Sequence, residues 1–146
     1  MTKNIFNIIQ LGHPHLRRTC TAVSDISSAH CQSFIDALLE FVIDKGGMGI
    51  AAAQVDVDQR VFIMCSRPNS RYPNAPEMPP TVVINPEIIW SSSEMEKGWE
   101  GCLSLPGIRG LVSRHKTIKV KYQTRTGEIV ETEYSGFIAR IFQHEL

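Results

Sequence analysis

The sequence lacks a net charge, because fifteen Lys and Arg are balanced by fifteen Asp and Glu. A surface for nucleic acid or an anionic membrane shows as a basic excess, so nucleic acid as a direct ligand is disfavoured. No apolar run approaches the ~20 residues that span a bilayer, so no membrane partner is expected. Met1-Thr2-Lys3-Asn4 is followed by no apolar h-region, no small-residue cleavage site and no Arg/Ser-rich transit-like stretch. Together these absences point to a cytoplasmic protein. The four cysteines, Cys20, Cys31, Cys65 and Cys102, include no C-x-x-C pair, and without a signal peptide they read as free thiols rather than a disulfide framework. Internal repeats, low-complexity tracts and β-α-β alternation are also missing.

What is present is a chain of 146 residues with 42% hydrophobic content, enough for one domain with its own core. An extended start over residues 5–11 runs into a turn at Gly12-His13-Pro14. Asp25-Ile26-Ser27-Ser28 offers caps for a helix whose apolar stripe is Phe34, Leu38 and Val42 with Ile35 and Leu39, stopping near Lys45-Gly46-Gly47. Residues 61–65 predict a strand that ends on a buried Cys65. Residues 66–80 hold five prolines and predict a surface loop. Residues 81–85 and 87–90 predict two short strands broken at Pro86. Ile118, Val120 and Tyr122 alternate with Lys119, Lys121 and Gln123, a strand buried on one face, and Thr126-Gly127 turns it into a second strand over 128–133. Ser135 is expected to cap a closing helix whose Phe137, Ile138, Ile141 and Phe142 face inward. The expected class is α+β, a mainly antiparallel sheet packed around a C-terminal core helix, in a single domain over residues 1–146.

Three segments stand out chemically. Gly47-Met48-Gly49-Ile50-Ala51-Ala52-Ala53-Gln54 is rich in small residues that let another surface approach the backbone, although a tight turn entering a packed element would look the same. Glu100-Gly101-Cys102-Leu103-Ser104-Leu105-Pro106 holds a cysteine that reads as a nucleophile, a metal ligand or plain packing. A nucleophile would need a histidine base at a recognisable spacing, and none is seen. The chain closes on Gln143-His144-Glu145-Leu146, the first half of an H-E-x-x-H motif or simply the solvated edge of an amphipathic helix. Arg140, one turn earlier, is left with two placements, out to solvent or narrowing a pocket.

Taken in order, these segments resemble the peptide deformylase family, whose signatures are G-φ-G-φ-A-A-x-Q, E-G-C-φ-S and H-E-φ-D-H (φ apolar). Residues 47–54 and 100–104 match the first two throughout, and 144–146 match the start of the third. The stretch from Ile9-Gln10-Leu11 through Leu16-Arg17 is similar to the family's usual start. The resemblance implies a hydrolase that removes the formyl group from the N-terminal formyl-methionine of new polypeptides, releasing formate. It implies one divalent metal ion, ferrous iron in most members with zinc, nickel or cobalt as substitutes, held by Cys102 and His144. Glu145 is then the base, and the Gln54 amide with the Leu103 backbone N–H serves the oxyanion. Met48, Gly49, Gly101, Arg109 and Phe137 fall at substrate-contacting positions, and Glu100 is a supporting carboxylate paired with Arg114. The implied partners are N-formylmethionyl peptides and nascent chains, with ribosome association; a monomer is expected.

The family's third ligand, a second histidine four residues after the first, would stand two residues past Leu146. Three readings stand: a tail beyond Leu146 supplies it, a cut has removed it, or His13, His15, His30 or His115 substitutes, though none of these lies near a position resembling a family ligand. Two rivals belong to other classes. A catalytically impaired deformylase-fold module would bind peptide with an incomplete metal site, and a zincin-type endopeptidase would recruit its ligands without the E-G-C-φ-S segment.

Overall fold

The computed structural model describes residues 21–55, 57–68, 73–102 and 105–146, with Trp99 and residues 101–102 and 105–110 described by backbone alone. The expected opening strand, the turn at Gly12-His13-Pro14, Cys20 and Leu103 lie outside the described residues.

Helix α1, Ala29–Lys45, starts where Ser28 accepts a hydrogen bond from the Cys31 N–H, and it ends where Gly46 takes a left-handed φ of 68°. A residue with a Cβ resists that conformation, which is why the apolar stripe stops there. Ile35, Leu38 and Val42 are its buried face. Strand β1 (Gly49–Ala51) and a 3-10 turn (Ala52–Val55) follow, then β2 (Val61–Met64) and β3 (Thr81–Ser91). Strands β4 (Met95–Cys102) and β5 (Leu105–His115) form an antiparallel hairpin of their own. Strands β6 (Thr117–Gln123) and β7 (Ile129–Ser135) lead into helix α2, Gly136–Glu145. The main sheet has the order β1-β2-β3-β6-β7 with every neighbour antiparallel, so the expected α+β architecture is the one found.

Central strand β2 explains how the layers meet. All four of its residues are buried, and they alternate: Val61 and Ile63 join the cluster under α1, while Phe62 and Met64 join the cluster under α2. A strand's period of two thus feeds two cores, one on each face of the sheet. In the second core Phe142 meets Phe62 edge to face at 5.1 Å between ring centroids, with Ile118, Val120 and Tyr122 beneath.

Three expectations are corrected. Residues 81–91 form one strand, not two. Its pairing with β6 shifts register between Ile84 and Glu87, and Asn85 sits at φ 51° with its side chain bonded to the Val23 N–H and C=O and to Gln123. A bulge of this kind admits Pro86 without ending the strand. The proline-rich stretch is not wholly superficial, since Ser66 and Ala75 are buried and Met78 packs on the second core. Ser135 occupies the N-cap position of α2 but makes no side-chain cap bond; its hydroxyl pairs with that of Thr117 at 3.0 Å.

Candidate active site

Helix α2 carries two functional faces. Ala139, Ile141 and Phe142 sink into the second core, with Phe137 and Ile138 packed at its margin. Arg140, Gln143 and His144, spaced i, i+3 and i+4 on one side, face the β4–β5 hairpin. Of the two readings of this polar edge, a motif or a solvated helix edge, the second does not hold: the hairpin covers it. Gln143 exchanges two bonds with His115 of β5, accepting from its N–H at 2.9 Å and donating to its C=O at 2.8 Å. His144 Nδ1 lies 2.8 Å from Glu100 Oε1.

Glu100 is a junction, with its side chain only 8% exposed. Arg114 donates to it through both Nε (3.1 Å) and Nη2 (2.9 Å), the fork geometry that makes arginine–carboxylate pairs strong. Arg140 Nη1 adds a bond of 2.6 Å to Oε2. Burial pushes the Glu100 carboxyl up, but the hydrogen bonds from His144, Arg114 and Arg140 outweigh it and hold the pKa down to about 2. A carboxylate this firmly ionised accepts the Nδ1 proton of a neutral imidazole, which turns Nε2 toward any metal. This is how ligating histidines are ordinarily oriented.

Glu145 sits beside Gly49 of β1. A Cβ built on Gly49 would lie 3.2 Å from the Glu145 Oε1 and 2.9 Å from the Ile63 carbonyl, so only glycine admits the carboxylate at this distance. Burial pushes the Glu145 carboxyl up to about 7; His144 pulls it down and Glu100 pushes it further up. Its Oε2 is buried with no hydrogen-bond partner. An orphaned buried carboxylate oxygen is costly, and a cation with its water at this point would satisfy it. The residues therefore fit a divalent ion.

Gln54, on the 3-10 turn after β1, is buried, and its Oε1 accepts the Ala51 N–H at 2.9 Å. Because the Ala51 group is a donor, the bonded atom must be the amide oxygen. Cys102 is the last residue of β4, two positions beyond Glu100, at a register irregularity. Gly101 is paired with Arg109 across the hairpin. Met48 and Phe137 are both half-buried against the second core. Among the described residues no three His, Cys, Asp or Glu side chains are grouped to hold a metal; the Cys102 side chain is not among them. His30 is exposed at the start of α1, His115 Nδ1 is 2.7 Å from the Ser92 carbonyl, and His13 and His15 lie outside the described residues.

The family model for polypeptide deformylase matches residues 5–146. A peptide deformylase 2 of Nostoc sp. is 51% identical over 145 residues, which is 99% of this chain and 81% of that protein. The chain belongs to the polypeptide deformylase family. Solved structures agree. The Met-Ala-Ser-bound class I type b peptide deformylase from Acinetobacter baumannii superposes at a TM-score of 0.95 with 45% identity, covering 99% of this chain and 92% of that one. The peptide deformylase from Thermotoga maritima superposes at 0.85 with 38% identity, covering 97% and 89%. The deformylase is thus a metal-dependent hydrolase that removes the N-terminal formyl group of formyl-methionine on new polypeptides, as its three motifs imply.

One contributor to the deformylase site was missed. Arg140 neither points to solvent nor narrows a pocket; it is buried against Glu100 and three hairpin carbonyls. Its signal was the i, i+4 spacing to His144 beside an acidic residue in the second motif, and that spacing gains meaning only once the hairpin is in place.

Proposed function

We propose that this deformylase works as one catalytic domain in which Cys102 and His144 hold a divalent cation beside the base Glu145. The observation that supports this most is Glu145 itself, a buried carboxyl with an unsatisfied Oε2 and a pKa raised to about 7. That value suits a group that must accept a proton and then return it near neutral pH. When bound, a divalent ion supplies an acidified water and polarises the formyl carbonyl. Ferrous iron is the expected occupant, with zinc, nickel and cobalt able to take its place, and thiolate and imidazole donors accept all four.

Glu145 takes the proton of the attacking water and delivers it to the leaving amine. The Gln54 NH₂ and the Leu103 N–H donate to the developing oxyanion. Glu100, gripped by Arg114, holds His144 in its tautomer. Met48, Gly49, Gly101, Arg109 and Phe137 receive the peptide, whose backbone lies beside β1 as an added strand. The Acinetobacter relative binds Met-Ala-Ser, a peptide with the N-terminal methionine this site would serve. The deformylase acts as a cytoplasmic monomer on nascent chains at the ribosome, without nucleic-acid specificity. No described helix is long and apolar enough to cross a membrane.

The test is formate release from a formyl-Met peptide by the metal-loaded protein. Glu145→Gln should keep the metal and lose about 10²- to 10⁴-fold in kcat. Undiminished turnover would remove Glu145 from its role. Peptide binding by a metal-free protein with no formate released would favour the binding-module reading.

A further inference from the structure

Arg140 lies one helical turn before His144, with its side chain 7% exposed. Its Nη1 donates to Glu100 Oε2 at 2.6 Å, to the Val112 carbonyl at 2.8 Å and, at the limit of bonding, to the Gly98 carbonyl at 3.5 Å. Its Nη2 donates to the Glu96 carbonyl at 2.5 Å. One guanidinium from α2 thus gathers the backbones of both hairpin strands and the carboxylate that orients His144. Arg114 cannot do this. It belongs to β5, opposite Glu96 in the register, so its grip on Glu100 stays within the hairpin. Gly98 is shaped to the guanidinium, since a Cβ there would fall 2.8 Å from Arg140 Cζ and Nε.

We infer that Arg140 is a positioning residue for the metal centre: it fixes how the hairpin end bearing Cys102 sits against the helix bearing His144. The inference rests on the ligand roles proposed above for those two residues. Oε2 is shared by Arg140 and Arg114 Nε, which leaves Oε1 facing His144 Nδ1, and of these two arginines only Arg140 ties that orientation to the helix that carries the imidazole. The carbonyl bonds stop the hairpin sliding along α2, and Cys102 follows only two residues after Glu100. Lysine is no substitute, because a point donor cannot serve Oε2, Val112 and Glu96 in one plane.

Cobalt(II) titration tests this, read as affinity and as the visible and thiolate-to-cobalt absorption bands of the protein and its Arg140→Met, Arg140→Lys and Gly98→Ala variants. Arg140→Met and Gly98→Ala should each weaken cobalt binding by about 10- to 100-fold and shift the bands, as losses behind a ligand do. Arg140→Lys should fail to restore either. Near-UV circular dichroism of the metal-free proteins should stay native, and in the loaded enzymes kcat should fall with KM unchanged. A folded Arg140→Met protein with parent affinity and spectrum overturns the inference. Should that variant not fold, Gly98→Ala decides, because it displaces the guanidinium and leaves α2 unaltered. Cys102→Ala separates the two levels. If it keeps cobalt, the ligand reading falls and this inference with it; if it loses cobalt while the Arg140 and Gly98 variants keep it, only the positioning role falls.

Discussion

Acid should loosen this deformylase through Glu100, and the size of the effect follows from its partners. Its carboxyl has a pKa near 2 in the folded chain against an ordinary 4.5, a depression that comes to about 3 kcal/mol. Because the folded value is the lower one, that stability is fully present above pH 4.5 and drains away as pH falls from 4.5 through 2. Glu100→Gln keeps the side chain's shape but never has the charge. At pH 7 it should be less stable by about 3–5 kcal/mol, since it also leaves Arg140, 7% exposed, as a buried cation without its counter-ion. For a domain whose whole stability is of the order of 5–15 kcal/mol, such a loss is large. The assay is urea unfolding of both proteins without metal at a series of pH values. Carboxylates that Glu100 does not touch electrostatically contribute equally to both proteins. Glu145, which Glu100 pushes up, is protonated in folded and unfolded chain alike below about pH 4.5, so the gap below that pH isolates Glu100. The gap should close progressively as pH falls from about 4.5 toward 2. A gap that stays constant down to pH 2 would refute the reasoning and make the Glu100 cluster a packing feature rather than an ionic one.

Other perturbations follow from the same geometry. Cys102→Ala should abolish metal retention, checked by metal analysis after gel filtration; full occupancy would remove Cys102 from the ligand set. A chain extended by Asp-His after Leu146 should bind cobalt more tightly than the chain ending there, and equal affinities would place the third ligand elsewhere. Gly49→Ala, whose Cβ would stand 2.9 Å from the Ile63 carbonyl and 3.2 Å from Glu145, should cost about 1–3 kcal/mol of stability in thermal or urea unfolding. It should also lower kcat by displacing the base, and a fully active Gly49→Ala enzyme would mean that the carboxylate tolerates the shift.

The elements legible in the sequence are those with one clean period. The stripe of α1, the two-sided apolar run 61–65 and the alternation of Ile118, Val120 and Tyr122 each answer to a single burial pattern. The β4–β5 hairpin was not legible as strands, because Gly98, Gly101, Gly107, Gly110 and Pro106 dilute its β-propensity. Its long-range partners on α2 supply what local preference lacks. Pro86 read as a break because the Asn85 side chain that steadies the bulge is tethered to Val23, 62 residues away. At the site, Gln54, Cys102, His144 and Glu145 were visible only as three motifs in order. Burial of Arg140 was invisible, since a helix edge bearing arginine looks the same whether water or a hairpin covers it.

The paired bonds between the Gln143 amide and His115 give the molecule a further property. A strand end normally offers its N–H and C=O outward to any passing chain. Here one side-chain amide, complementary to both groups, occupies them from the helix and imitates the next strand for a single residue. The last residue of β5 is thereby closed to strand addition, without a charge or a proline to repel it. The deformylase thus has a stopper at the end of β5, and pairing of an extended peptide with that strand end is discouraged.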